Sequence, residues 1–288
     1  MKRIACLLTA MVFLIVASSC VKEESPSLNW SDESDENGAV SVVPRTTMVT
    51  LIEGMTVEMI ADTLQKNGVC DADEFLNTLQ TADFDRYDFV KAIPQETRDQ
   101  AAYYLEGYLF PDTYEFYLDC DAYSVACKLL STFENRVTED MLAVIEEKGM
   151  TLHEMVTTAS IIQKEAGFSY DMPRVSRVIH NRLKQSTMFP RLEMDSTISY
   201  VQNLNGDFAE RDLGAVYNTY RMSGLPVGAI CNAGLAALEA AVYPSEEEDI
   251  LNCYYFGSII ETGETRFFET YGAFEAWCRK VGIGIYGD

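Results

Sequence analysis

Histidine is nearly missing from this chain, with two in 288 residues. So few imidazoles exclude a metal centre built on histidine, and no motif calls for a metal or an organic cofactor. Cysteine occurs eight times, yet no two cysteines stand in a Cys-x-x-Cys spacing, which removes a dithiol redox motif and a zinc ribbon from consideration. Basic residues are scarce: 22 Lys and Arg face 45 Asp and Glu, for a net charge of -23 and a pI near 4.4. That balance excludes nucleic acid and anionic membrane surfaces as binding partners, because like charge repels both. Neutral or mixed-charge ligands such as glycans stay open. The apolar run Ile4 to Ala17 is shorter than the ~20 residues that a spanning helix needs.

That run is laid out as an export signal. Met1-Lys2-Arg3 supplies the charged start, and Ser18-Ser19-Cys20 supplies the small residues before a cut. The ending Ala17 to Cys20 resembles a bacterial lipobox. Residues 1–20 are therefore expected to be a lipoprotein-type signal peptide with Cys20 lipidated, an uncleaved N-terminal anchor being the alternative. Either form holds the body at the cell membrane on its extracytoplasmic face. Residues 21–46 are rich in Glu, Asp, Ser and Asn, lack apolar periodicity before Val40, and read as an acidic flexible tether.

From Thr47 the texture changes. MVTLIEG reads as a short strand, Thr56 caps a helix carrying Ile60, Ala61 and Leu64, and Asn67-Gly68 ends it. Asp71 with Glu74 starts a second helix by reciprocal capping. A small module over residues 47–92 results. Beyond Pro94 comes LEGYLFPDTYEFYLD, with breakers at Gly107, Pro111 and Asp112 among crowded aromatics. Alternation of Tyr114, Phe116 and Leu118 predicts a strand. Aromatic faces suit sugar rings, although aromatics at this density are more often core. Val175, Val178, Ile179 and Leu183 mark an amphipathic helix, with Arg174, Arg177 and Arg182 as partners for the many carboxylates. Asn232 to Tyr243 reads as a helix stopped by Pro244. LNCYYFGSII and TRFFET read as a β-hairpin turning at Glu261 to Glu264.

Thr151 to Gly167, TLHEMVTTASIIQKEAG, reads as one helix. Thr151 and Glu154 form a capping box at its start, and Gly167 suits a left-handed turn at its end. Glu165 lies in the last turn beside Thr158, Ile161 and Ile162, where the carbonyl end of the helix dipole repels a carboxylate. Such a carboxyl keeps its proton toward neutral pH, as a general acid at a glycosidic oxygen must. By position alone a solvated surface glutamate is the commoner outcome.

Motifs weigh on the catalytic side. ASIIQKEAG is similar to the A-S-I-V-x-K-E-A segment of the MltG (YceG-like) endolytic murein transglycosylases. LEGYLFPDTYEF at 105–116, NRL at 181–183, DSTISY at 195–200 and VYNTYRMSGLPVGAICNAG at 216–234 resemble that family in the same order. The resemblance spans about Val49 to Tyr271. It implies an α+β fold, with a small LysM-like N-terminal module (47–92) followed by a mixed α/β lytic transglycosylase catalytic domain (93–288). It implies Glu165 as the catalytic acid, and it puts Glu106, Tyr108, Asp112, Tyr114, Asp195, Tyr217, Asn218 and Tyr220 at the substrate. Asp195 is the second carboxylate to consider, although aspartate before Ser-Thr is also a common helix N-cap. The chain departs from the family pattern at Glu193 and Ser196, where Gln and Pro are usual, and at Arg266, where histidine is frequent.

The function this resemblance implies is a membrane-tethered endolytic transglycosylase. It would cut MurNAc-β-1,4-GlcNAc bonds in nascent peptidoglycan, leave 1,6-anhydro-MurNAc ends and so terminate strand elongation. Its partners would be glycan strands, peptidoglycan synthases, and the membrane through the lipid or N-terminal anchor. The rival reading, motivated by the three departures, is a non-catalytic glycan-binding or synthase-associated cell-wall lipoprotein.

Overall fold

The computed structural model describes residues 30–34, 40–206, 208, 211–259 and 262–283. The export signal, Cys20 and much of the expected tether lie outside the described residues. Inside that tether, Trp30–Ser34 (β1) and Val40–Pro44 (β2) pair as an antiparallel ladder, so part of a stretch expected to be flexible takes strand form.

Thr46–Thr50 (β3) leads into Val57–Lys66 (α1), which Thr56 caps by accepting the Met59 N–H at 3.3 Å. Asp71 caps Ala72–Thr81 (α2) by accepting the Glu74 N–H at 2.9 Å. Two short helices come next, Asp88–Lys91 (α3) and Gln95–Gln100 (α4), before Thr113–Tyr117 (β4). β4 is the antiparallel partner of β3, with Val49 opposite Tyr114. The N-terminal sheet therefore closes well beyond residue 92. Val49, Phe75, Tyr108, Met155 and Leu238 belong to one continuous core, so residues 47–92 are packed into the same interior as the helices C-terminal to them.

The rest is mainly helical: Ala122–Arg136 (α5), Glu139–Glu147 (α6), Leu152–Glu165 (α7), Met172–Lys184 (α8), Asp195–Gln202 (α9), Leu213–Tyr217 (α10) and Leu235–Val242 (α11). Tyr255–Ser258 (β5) and Thr265–Phe268 (β6) form the hairpin, and Tyr271–Val281 (α12) packs on it. Among the described residues no helix is long and apolar enough to cross a membrane.

α7 is the central helix. Met155 to Ile162 are all buried, between α6, α8, α9 and α11. Its small residues let neighbours approach closely, and its buried hydroxyls are largely used: Ser160 Oγ donates to Thr157 O at 2.7 Å and accepts the Ile230 N–H at 3.0 Å. The capping box forms as expected, with Thr151 N–H donating to Glu154 Oε2 at 2.7 Å and Glu154 N–H to Thr151 Oγ1 at 3.1 Å. Such a cap contributes about 1 kcal/mol. Gly167 departs from expectation, because no left-handed turn follows α7 and Ala166 leaves it in extended conformation. Glycine is needed there for a different reason: a Cβ would meet the carbonyl oxygen of Gly263 in the hairpin turn at 2.8 Å. Docking of the hairpin against the end of α7 depends on that missing atom.

Candidate active site

α7 delivers Glu165 to the junction of two cavities. One of about 690 Å³ is walled by α1, α2 and α9, including Met59, Leu76 and Ser199. The other, of about 680 Å³, is walled by β5 and α12, including Tyr255, Tyr271 and Phe274. Lys164, Glu165 and Asp195 border both. A roomier cavity of about 1130 Å³, bordered by His153, Arg177 and His180, touches neither Glu165 nor Asp195. Volume and acid–base chemistry thus point to different places, and the chemistry follows the displaced carboxyl.

Glu165 is half-buried, and no ion pair to it occurs among the described residues. Burial pushes its carboxyl above the ordinary carboxylate range, and the neighbouring Asp195 charge adds to the rise. The opposing influence is Ser196, through its hydroxyl and through its backbone N–H, which donates to Glu165 Oε1 at 3.2 Å. Loss of solvent outweighs both, so the group holds a proton to higher pH than a surface glutamate.

Asp195 opens α9, but Met194 is the N-cap and no side chain caps the helix. The expected capping role is thus replaced by another contact: the Tyr220 hydroxyl donates to Asp195 Oδ1 at 2.5 Å. Tyr220 is held by a turn in which Asn218 Oδ1 accepts its N–H at 2.9 Å. Between them Thr219 is fully buried, accepting the Met194 N–H at 2.9 Å and lying 3.0 Å from Thr197 Oγ1. Loop 218–220 is therefore fastened to the start of α9. Glu193 has φ +54, a left-handed conformation uncommon for a non-glycine residue, and it borders the second cavity. Its carboxylate lies 3.7 Å from buried Arg182. Arg182 donates to the carbonyls of Tyr254 and Leu192, each at 2.6 Å, and lies over the Tyr255 ring. It is a strut between α8 and the hairpin.

The family model described as YceG-like family matches residues 32–280. The chain belongs to the YceG-like family. Endolytic murein transglycosylases of Bacillus subtilis and Streptococcus pneumoniae (strain D39) are 26% and 27% identical over 234 and 233 residues, covering 77% and 74% of this chain. The matched portion is 61% of the Bacillus protein and 41% of the Streptococcus protein, so the chain spans only part of the length of these relatives. A YceG-like protein of Listeria monocytogenes shares the fold, with a TM-score of 0.68 and 26% identity over 82% of this chain and 76% of the other. The mixed helix-and-strand architecture is thus that of a YceG-like protein.

On this YceG-like framework the residues expected at the substrate separate into two groups. Asp195 and Tyr220 border the Glu165 cavities. Glu106 does not: it is 1% exposed, accepts the Val57 N–H at 3.1 Å and Asn232 Nδ2 at 2.7 Å, and receives the Tyr200 hydroxyl at 3.2 Å. Burial pushes its carboxyl up to about 8. Tyr108 is buried with its hydroxyl 2.9 Å from His153 Nδ1, Tyr114 is buried and donates to Phe110 O at 2.5 Å, and Tyr217 is buried against Tyr200. Asp112 pairs with Arg136 at 2.7 Å, and its carboxyl is held below the ordinary range by the Thr113 N–H and that guanidinium. None of these five borders either cavity at Glu165. Asn218 serves the Tyr220 turn. Arg266 pairs with Glu264 at 2.6 Å on the exposed side of the hairpin.

Several residues at the site left little trace in the sequence. The ring cluster of Tyr255, Tyr271 and Phe274, with centroids about 5.8–5.9 Å from Tyr255, needs the hairpin and α12 folded together. The Ser196 amide carries no side-chain signature, and Ser196 stands out in the sequence only as a departure from the family pattern. Among the described residues no cluster of three His, Cys, Asp or Glu side chains is arranged to hold a metal ion.

Proposed function

We propose that this YceG-like protein is an endolytic peptidoglycan transglycosylase in which Glu165 is the catalytic acid and then the base. The observation that carries the reading is a desolvated carboxyl, without a cationic partner among the described residues, at the junction of two cavities. A strand lying through both cavities would present an internal glycosidic bond to Glu165, as endolytic cutting requires. The rings of Tyr255, Tyr271 and Phe274 offer apolar faces to sugars on one side.

Glu165 donates its proton to the departing GlcNAc O4 as the MurNAc C1–O4 bond breaks. The resulting carboxylate takes the proton of the C6 hydroxyl of the same MurNAc, and O6 closes on C1. An anhydro ring forms, no water is consumed, and Glu165 ends protonated. The attacking hydroxyl belongs to the substrate and acts at high effective concentration, so one acid–base residue suffices. Asp195, held by Tyr220, supplies negative charge near the positive charge that develops at C1. The names of the Bacillus and Streptococcus relatives support the same reaction.

The finer reading of the N-terminal part is a LysM-like module. Its support is a strand and two helices in succession, β3, α1 and α2, with β4 closing antiparallel on β3 after the two further short helices α3 and α4. Met59 of α1 and Leu76 of α2 border the first cavity, which would make this module one wall of the glycan path. Lipidation of Cys20, a tether from the membrane, action on nascent strands and pairing with synthases complete the proposal, supported by the sequence signals and the family resemblance. Digestion of purified peptidoglycan with wild-type and Glu165→Gln protein, followed by mass spectrometry of the ends, tests the activity. Anhydro-muramyl ends with wild type only are expected. Binding without cleavage by either protein would favour a glycan-binding lipoprotein instead.

A further inference from the structure

Glu165 meets α9 at that helix's second residue. The Ser196 amide has no acceptor within its own helix, and it donates to Glu165 Oε1 at 3.2 Å. The Ser196 hydroxyl oxygen is shut off from solvent and has no hydrogen-bond partner among the described residues. Strict geometry gives it no partner, yet its hydrogen-bonding influence holds the Glu165 carboxyl down alongside that of the backbone N–H. A buried hydroxyl without a partner is costly, and here it stands beside a carboxyl that would cycle between two charge states.

The other groups that face this carboxyl do not fill the role. Asp195 is an anion and opposes the carboxylate. Lys164 turns its ammonium to Gly54 O at 3.3 Å. Tyr220 gives its proton to Asp195. Across the second cavity Glu193 and Arg182 face each other at 3.7 Å, and across the first Glu58 is saturated by Tyr103, Asn205 and Gly206 while Asp62 lies beside Lys66. Arg191 borders the second cavity and forms no ion pair with Glu165 among the described residues, and Asp73, at the first, is a further anion. When Glu165 loses its proton, Ser196 is the donor already in contact with it.

We propose that Ser196 is a positioning residue serving both halves of the reaction: its N–H fixes Oε1 as the accepting oxygen and leaves Oε2 to carry the proton, and its hydroxyl turns to donate to the carboxylate once that proton has gone. This rests on the acid–base role proposed above for Glu165.

The test is a carbon-13 NMR titration of the Glu165 carboxyl in the full chain, set beside pH profiles of kcat/KM on peptidoglycan. Ser196→Ala keeps the backbone amide and removes the hydroxyl, so the Glu165 titration is expected to move up by about one pH unit, with kcat down about tenfold. Ser196→Thr restores a hydroxyl and is expected to return both toward wild type. An Ala variant that folds and titrates like wild type, or a Thr variant that behaves like Ala, overturns the proposal. The NMR arm needs no turnover: a wild type without lytic activity would sink the transglycosylase reading, whereas an unmoved titration would sink the role of Ser196.

Discussion

The Tyr220 hydroxyl donates to Asp195 Oδ1 at 2.5 Å, and Asp195 borders the same two cavities as Glu165. Its negative charge adds to the burial that raises the Glu165 pKa. Removing that charge by Asp195→Asn is predicted to lower the Glu165 pKa, so the alkaline limb of kcat/KM, where the acid loses its proton, moves to lower pH. Ser196→Ala is predicted to move the same limb upward. A pair of pH–rate profiles distinguishes them, and shifts of the same sign would contradict the electrostatic account.

Glu106 sets a second pH dependence, on stability. Burial raises its carboxyl from 4.5 to about 8 in the folded chain, so the folded state keeps a proton that the unfolded chain releases. The stabilisation from that proton is complete below the unfolded value and is lost as pH rises through the folded one; burial of Glu165 acts in the same direction. Glu106→Gln cannot ionise and is predicted to flatten the fall in thermal midpoint across that window. Glu106→Ala strands the Val57 N–H, Asn232 and Tyr200, at a cost of about 3 kcal/mol. Equal steepness in wild type and Glu106→Gln would show that Glu106 is not the titrating group.

Gly107 tests the packing that joins the LEGYLF segment to α7. It has φ +92, and a Cβ there would stand 2.6 Å from both Ala229 Cβ and Val156 Cγ1. Gly107→Ala is predicted to destabilise by about 3 kcal/mol or to prevent folding. Gly149 has φ +67 but open space around it, so Gly149→Ala should cost only about 1 kcal/mol. Chemical denaturation of the two variants side by side makes the comparison. Equal costs would mean that conformation, and not crowding, dominates at Gly107.

The ring face at Tyr255 is predicted to act through binding. Tyr255→Ala removes an apolar face worth about 1 kcal/mol to a sugar, which corresponds to roughly a fivefold rise in KM with kcat held. Steady-state kinetics on glycan strands gives the split. A fall in kcat at constant KM would instead assign Tyr255 to the transition state.

What could be read from the sequence was local. The Thr151–Glu154 box, the caps at Thr56 and Asp71, the strand at 113–117 and the hairpin at 255–268 each depend on residues a few positions apart, and each forms. The pairing of β3 with β4 joins residues more than sixty positions apart. Composition gives no sign of it, and a module drawn to residue 92 omitted its second strand. The aromatics of GYLFPDTYEF show the limit of motif reading: Tyr108 and Tyr114 sit in the core and border neither cavity at Glu165, because a family motif marks residues that pack the fold as well as those that line a cleft. Glu165 was legible because a carboxylate in the last turn of an apolar helix violates a local electrostatic rule. The Ser196 amide and the role of Gly167 were not, since a backbone donor and an absent Cβ acquire meaning only when a distant element arrives.

The central claim is that Glu165 carries a proton between two oxygens of one substrate strand without admitting water to the reaction. Digestion of purified peptidoglycan in water labelled with heavy oxygen, with mass analysis of every new muramyl end, tests it most directly. The account predicts ends lighter by one water, free of label, and absent with Glu165→Gln. Labelled reducing ends from the wild-type protein would contradict it and make the enzyme a hydrolase.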